Sequence, residues 1–206
     1  MPSSSNDTLS PEMIRILKIF GLGSLLFVFV LSFFNERRAD NTGKEEGIMH
    51  LRDADRLFFK NVRAPYYDVE GRKDAKMTVY RHGKRVLNEE RPILNFSILI
   101  NQLKDESYIY VELSTEEIPI RIQWKNNGSS ESGELEFQGG DKFAHLKFAV
   151  ELSPLLDENI HFQLWHMNGW VSILEESKER EALITTLTDY FRLINYNNNS
   201  EKKFPR

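Results

Sequence analysis

From Met13 to Phe34 the chain is almost continuously apolar (MIRILKIFGLGSLLFVFVLSFF), and from Ile19 to Phe34 it carries no charge. Those 22 residues would make a helix of about 33 Å at ~1.5 Å per residue, matching a ~30 Å hydrocarbon core. Arg15 and Lys18 fall in the first turns, where long stems snorkel to headgroups. Twelve of the sixteen residues from Ile19 on are Leu, Ile, Val or Phe. At roughly −0.3 to −0.6 kcal/mol each, they favour insertion by about −4 to −7 kcal/mol. Ile19, Phe20, Leu25, Leu26, Phe27, Val28, Phe29, Val30, Leu31, Phe33 and Phe34 are the expected lipid contacts.

Two other readings of this stretch are weaker. A buried core helix would keep a polar stripe, and this one is apolar all round. A cleaved signal peptide would be shorter and would end at small residues, whereas Asn35-Glu36-Arg37-Arg38 follows here. No small residues recur four apart, so a GxxxG dimer face is missing. The pattern predicts a single-pass signal anchor. Sidedness is contested. Arg15 and Lys18 precede the span, and Arg37, Arg38, Lys44 and Arg52 follow it, which favours a cytoplasmic C-terminal part. A long domain behind a signal anchor translocates largely regardless of charge, so we place it on the non-cytoplasmic side.

Residues 1–12 read as a polar tail, and residues 35–47 (NERRADNTGKEEG) as a charged linker. Residues 48–197 read as one domain and 198–206 as a polar tail. Within the domain, alternation with period two dominates. It predicts strands at Met77–Tyr80, Ile93–Ile100, Ser107–Leu113, Ile118–Lys125, Glu134–Gln138, Phe143–Leu152, Asn159–Met167 and Trp170–Leu174. His82-Gly83 reads as a hairpin turn into Arg85-Val86-Leu87, and Asn168-Gly169 as a second hairpin turn. The stretch Leu51–Val62 fits a helix or a strand opening. From Glu176 to Tyr196 the period changes. Leu183, Ile184, Leu187, Phe191 and Ile194 recur at three and four, with Glu179, Arg180, Asp189 and Arg192 assigned to other faces. That is an amphipathic helix. The expected fold is therefore mainly β: an antiparallel β-sandwich or curled sheet with a C-terminal helix, behind one transmembrane helix.

The 206 residues include no cysteine. That excludes disulfides, thiolate zinc sites and a Cys nucleophile. Five histidines (His50, His82, His145, His161, His166) form no HxxxH, HxH or HExxH. His161 and His166 lie an odd number apart and would point to opposite faces of a strand. GxSxG, SxxK and a Gly-rich phosphate loop are also missing. Glu116-Glu117 and Glu175-Glu176 are adjacent carboxylates, better read as a solvated loop end and a helix start than as a glycosidase pair. No cofactor is expected.

Charge is uneven. Residues 35–91 hold 14 basic and 11 acidic side chains, and residues 92–206 hold 11 and 18. Arg72, Lys73, Lys76, Arg81, Lys84, Arg85 and Arg91 crowd one stretch, which reads as a solvated, aggregation-resistant edge or as a headgroup-binding patch. The net charge of −4 and sparse aromatic interleaving argue against nucleic acid. Tyr108 and Tyr110 share a strand face and would stack on a ligand or pack as a second face. Asn95-Phe96-Ser97 and Asn127-Gly128-Ser129 match glycosylation acceptors. The binding residues expected are Tyr108, Tyr110, Arg81, Lys84 and Arg85. The function expected is that of a tethered, non-catalytic accessory protein that meets the lipid bilayer and a protein partner. The alternatives are a sugar- or headgroup-binding module and an enzyme whose site is assembled from distant residues.

Overall fold

The structure is a computed structural model and describes residues 10–33, 47–87, 91–115 and 118–196. The chain divides into two compact units, Met1–Ala39 and Asp40–Arg206. In the first, helix α1 (Pro11–Phe33) covers nearly all of the apolar run. Pro11 stands at its first turn, where a missing N–H costs nothing, and the Ser10 hydroxyl accepts the Met13 N–H at 3.3 Å. None of its residues is buried. It is long and apolar enough to cross a bilayer, a property shared by membrane anchors and signal sequences. Of the expected lipid contacts, Phe34 lies outside the described residues, as do nearly all of the linker and the C-terminal tail.

The second unit is mixed α/β rather than mainly β. It holds two four-stranded antiparallel sheets. Sheet one has the order β1-β2-β3-β4, built from β1 (Tyr67–Arg72), β2 (Met77–His82), β3 (Leu94–Asn101) and β4 (Ser107–Leu113). Sheet two has the order β6-β5-β7-β8, from β5 (Ile120–Asn126), β6 (Ser132–Phe137), β7 (Ile160–His166) and β8 (Gly169–Ile173). Among the described residues three α-helices accompany them: α2 (Asp53–Phe58), α3 (Lys142–Leu152) and α4 (Ser177–Leu193).

The largest correction is α3, expected as a strand. Its apolar residues fit either period, but the buried set is His145, Leu146, Phe148, Ala149 and Leu152, which is helical spacing. Asp141 settles the local choice. Its carboxylate accepts the N–H groups of Phe143 and Ala144 at 3.0 and 3.1 Å, an N-cap that a strand has no use for. Gly139 and Gly140 ahead of it take positive φ values of 75° and 129° and turn the chain out of β6.

A second correction concerns β2. No hairpin forms at His82-Gly83, and no strand occupies residues 85–87. Gly83 N–H bonds instead to Tyr66 C=O at 2.9 Å, and a Cβ on Gly83 would lie 3.1 Å from that oxygen. The partner of β2 is β1, whose sequence YDVEGR lacks apolar alternation because only Tyr67 is buried. The Leu51–Val62 ambiguity resolves as helix: α2 runs into a π-turn (Phe59–Arg63) and a 3-10 turn (Ala64–Tyr66). The β7–β8 turn sits one residue earlier than expected, with Met167 and Asn168 both at positive φ, as a type I′ turn requires.

The core is one cluster. Tyr80, Phe96, Ile98, Ile109 and Val111 of sheet one join Ile122, Phe137, Phe162 and Leu164 of sheet two, together with Leu146, Phe148 and Leu152 of α3 and Leu183, Leu187 and Tyr190 of α4. Phe148 bridges the sheets, with its ring 6.4 Å from Phe96 and 5.4 Å from Phe137. Arg180 ties the start of α4 to sheet two, donating to the carbonyls of Leu174 and Ile160 at 2.6 Å each.

Helix α4 departs from expectation in one respect. Glu179 and Asp189, expected on wet faces, are buried. Each has an arginine from elsewhere in the chain: Arg91 lies 2.8 Å from Glu179, and Arg63 2.8 Å from Asp189. Buried carboxylates persist when a charge partner and hydrogen bonds compensate their lost hydration.

Candidate functional site

The edge of β4 is covered by backbone at its start, where the Ser107 N–H donates to Met49 C=O at 3.0 Å, and by side chains further along. Pairing with β3 leaves the Val111 N–H pointing away from the sheet, and it donates to Nδ1 of His145 on α3 at 3.1 Å. The Tyr190 hydroxyl from α4 donates to Ser107 C=O at 3.4 Å, and the Ile109 backbone also bonds that phenol oxygen. Burial holds the His145 imidazole below its ordinary pKa, opposed by the Asp141 carboxylate. Neutrality is what the bond demands, because Nδ1 must present a lone pair.

Beside this edge lies a groove whose walls mix apolar side chains with Glu112 and Thr115. Tyr110 projects from β4, 46% exposed, and stacks at 4.4 Å on the His145 ring. A cavity of 650 Å³ opens here, with Tyr110, Leu113, Ile118, Ile120, Phe137 and His145 in its walls. An adjoining cavity of 370 Å³ runs over Met77, Leu99 and Tyr108 and shares Tyr110, Gly140 and His145. Ile118 is 63% exposed on the rim. Tyr108 is not free. Its hydroxyl bonds Glu106, its ring lies 5.0 Å from the Lys142 ammonium, and burial together with Glu106 pushes its pKa up to about 12. Tyr110 is thus the available member of the pair.

The basic stretch is redistributed by the fold. Arg81 donates through Nε to Glu112 at 2.8 Å and through Nη1 to Glu70 at 2.7 Å, spanning β1, β2 and β4 across the outer face of sheet one. Arg85 pairs with Asp68, Arg72 with Asp74, and Arg91 with Glu176 and Glu179. The expected contiguous patch is therefore mostly neutralised, by carboxylates that strand register brings alongside.

Lys84 goes elsewhere, into a cleft of 610 Å³ between the end of β2 and the first half of α4. Arg63, Tyr66 and His82 line one wall with Lys84, and Lys178, Glu181, Ala182 and Thr185 line the other. At its base the Asp189 carboxylate accepts Arg63 Nε on both oxygens (2.8 and 2.9 Å) and the Tyr67 hydroxyl at 2.7 Å. Burial, and then Asp189, raise the Tyr67 pKa. Burial lowers that of His82, which Asp189 opposes. Three hydrogen bonds from two donors hold the carboxylate, so this arrangement is a clasp that ties α4 to β1 and to the turn carrying Arg63.

Sequence reasoning missed Arg63, Lys178 and Asp189, which come from two segments, the turns after α2 and helix α4. The one legible signal was an Asp adjacent to the apolar stripe of α4. Among the described residues, no three His, Asp or Glu side chains are grouped to hold a metal ion. Glu116 and Glu117 lie outside the described residues, and Glu175 and Glu176 are exposed. Compared with protein-family models, curated proteins and solved structures, the chain matches none.

Proposed function

We propose that this chain is a single-pass, membrane-tethered, non-catalytic interaction protein. Helix α1 anchors it, and the domain holds a protein partner in the Tyr110 groove on the non-cytoplasmic side. The observation that carries the reading is the groove itself. It combines a half-exposed aromatic ring stacked on His145 with exposed Ile118 and with buried Ile120 and Phe137 in the walls. Aromatic anchors in apolar pockets dominate protein contacts. Tethering adds effective concentration at the membrane without any new contact. The titratable groups of the groove are already engaged: His145 by the Val111 amide, and Glu112 by Arg81. That supports binding over turnover.

The test is a pull-down of the full chain from native membranes beside Ile118→Asp, a substitution at an exposed rim position. A stoichiometric protein partner recovered with the parent chain and lost with the variant supports the reading. Recovery of the chain alone, or equal recovery by both, overturns it. Protease digestion on intact cells tests sidedness: cleavage of the domain without permeabilisation is expected, and full protection would reverse the placement.

A further inference from the structure

The geometry points to a binding site for a singly charged phosphodiester in the cleft between β2 and α4. The inference does not depend on the partner groove or on the tethering reading.

Three observations carry it. Asp189 engages Arg63 through Nε alone, so the terminal Nη1 and Nη2 donors have no partner among the described residues. The buried carboxylate and the Tyr66 ring, 5.2 Å from Cζ, hold the guanidinium in the cleft lining with both Nη donors unspent, donors suited to bidentate phosphate recognition. His82 is only 7% exposed. Its Nδ1 accepts the Lys84 backbone N–H at 3.3 Å, which assigns the proton of the neutral ring to Nε2. That donor has no protein partner among the described residues, and His82 lines the cleft, so Nε2 is free to donate to a ligand there. Finally, the ammonium groups of Lys84 and Lys178 stand on opposite walls. Neither has an ion-pair partner among the described residues, whereas Arg72, Arg81, Arg85 and Arg91 all do.

Size and charge narrow the ligand. The cleft, at 610 Å³, is of small-ligand scale, and Ala182 on the α4 wall leaves room that a larger side chain would fill. Arg63, Lys84 and Lys178 against Asp189 and Glu181 leave one net positive charge. A diester carrying one negative charge balances it, and Glu181 disfavours a polyanion. The Thr185 hydroxyl adds a neutral donor on the same wall.

The same chemistry occurs in a lipid headgroup and in a soluble diester, and the experiment separates them. The full chain is held in dodecyl maltoside micelles with glycerophosphoglycerol, or in nanodiscs of phosphatidylcholine with and without phosphatidylglycerol. Reductive methylation of each lysine is followed by mass spectrometry, with exposed Lys147 as the reference. Protection of Lys84 and Lys178 of at least about threefold is expected in one arm or both. Protection in micelles identifies a soluble diester, and protection only in phosphatidylglycerol discs identifies a headgroup. In Lys178→Glu, the concentration or lipid fraction that half-protects Lys84 rises about tenfold. Lys178 is exposed, so an unchanged unfolding midpoint will show the fold intact. No protection in either arm, or half-protection of Lys84 that Lys178→Glu leaves unmoved, overturns the inference.

Discussion

Replacing His145 separates two contributions that the fold combines in one side chain. The imidazole accepts the buried Val111 N–H and packs its ring against Tyr110 at 4.4 Å and Phe137 at 4.8 Å. Stranding a buried amide costs about 1–3 kcal/mol. Each ring contact contributes about 0.5–1.5 kcal/mol. Asparagine places its Oδ1 near the position of Nδ1, so His145→Asn keeps the acceptor and loses the ring, at a cost of about 1–3 kcal/mol. His145→Ala loses both and should cost about 1–3 kcal/mol more than the asparagine variant.

The pH dependence follows from the same bond. Burial holds the folded pKa of His145 below its ordinary value, opposed by Asp141. Below pH ~6.5 the unfolded chain therefore takes up a proton that the folded chain refuses. Stability is fully present above that pH and is lost as pH falls toward the folded pKa, by at most about 1.4 kcal/mol per pH unit. His82 is depressed by burial too, and contributes in the same direction. Wild type should show both contributions and His145→Asn only that of His82. The assay is denaturant unfolding of the full chain in mild detergent from pH 5 to 8, read by tryptophan fluorescence. The reasoning fails if His145→Ala is no less stable than His145→Asn, or if the asparagine variant keeps the full acid slope.

Gly133→Ala should cost about 1–3 kcal/mol by overpacking, because a Cβ there would lie 2.9 Å from the Trp124 indole; a denaturation midpoint equal to wild type refutes this. Asp189→Asn removes the charge facing Arg63 and should cost about 2–3 kcal/mol, seen in the same unfolding assay. If α1 is retained as an anchor, the full chain stays with membranes through alkaline carbonate. Leu25→Arg, costing about 2.5–3.5 kcal/mol at the helix centre, should weaken that retention, and release of the parent chain would count against an anchor. In hydrogen exchange, partner binding should slow amides around Ile120 and Gly140 that border the groove. New protection along β1 instead would indicate strand addition.

The strands that carry apolar alternation are legible in the sequence: β3, β4, β5 and β7 fall close to the expected ranges. Their period arises from one buried face, and that is a local property of the chain. β1 is not legible, because an edge strand with one buried residue has no alternation to read. α3 is misread for the opposite reason: FAHLKFAVEL satisfies both periods, and a single capping aspartate decides between them. The candidate sites are legible only in part. Tyr110 follows from strand parity. Arg81 and Arg85 follow from charge, but their carboxylate partners Glu70, Glu112 and Asp68 come from register, which no local count contains. Lys84 stands out as part of a patch and belongs to a cleft, since Gly83 turns back onto Tyr66 instead of into a second strand.

The two edges of sheet one constrain how this domain can bind. An open edge strand invites a partner to add its own strand. On β1 that invitation is blunted by Asp68, Glu70 and Arg72, exposed and charged along six residues. On β4 it is withdrawn more completely. The outward amide of Val111 is spent on His145, and the Ser107 carbonyl accepts the Tyr190 hydroxyl. At these two positions a partner arriving at β4 meets backbone groups already bonded. Tyr110 is the exposed residue of β4, and its ring stacks on the same His145 that accepts the Val111 amide. Closing the edge and setting the aromatic platform are thus one structural act. A change at His145 should disturb stability and groove shape together, whereas Tyr110→Ala should empty the groove and leave the edge closed.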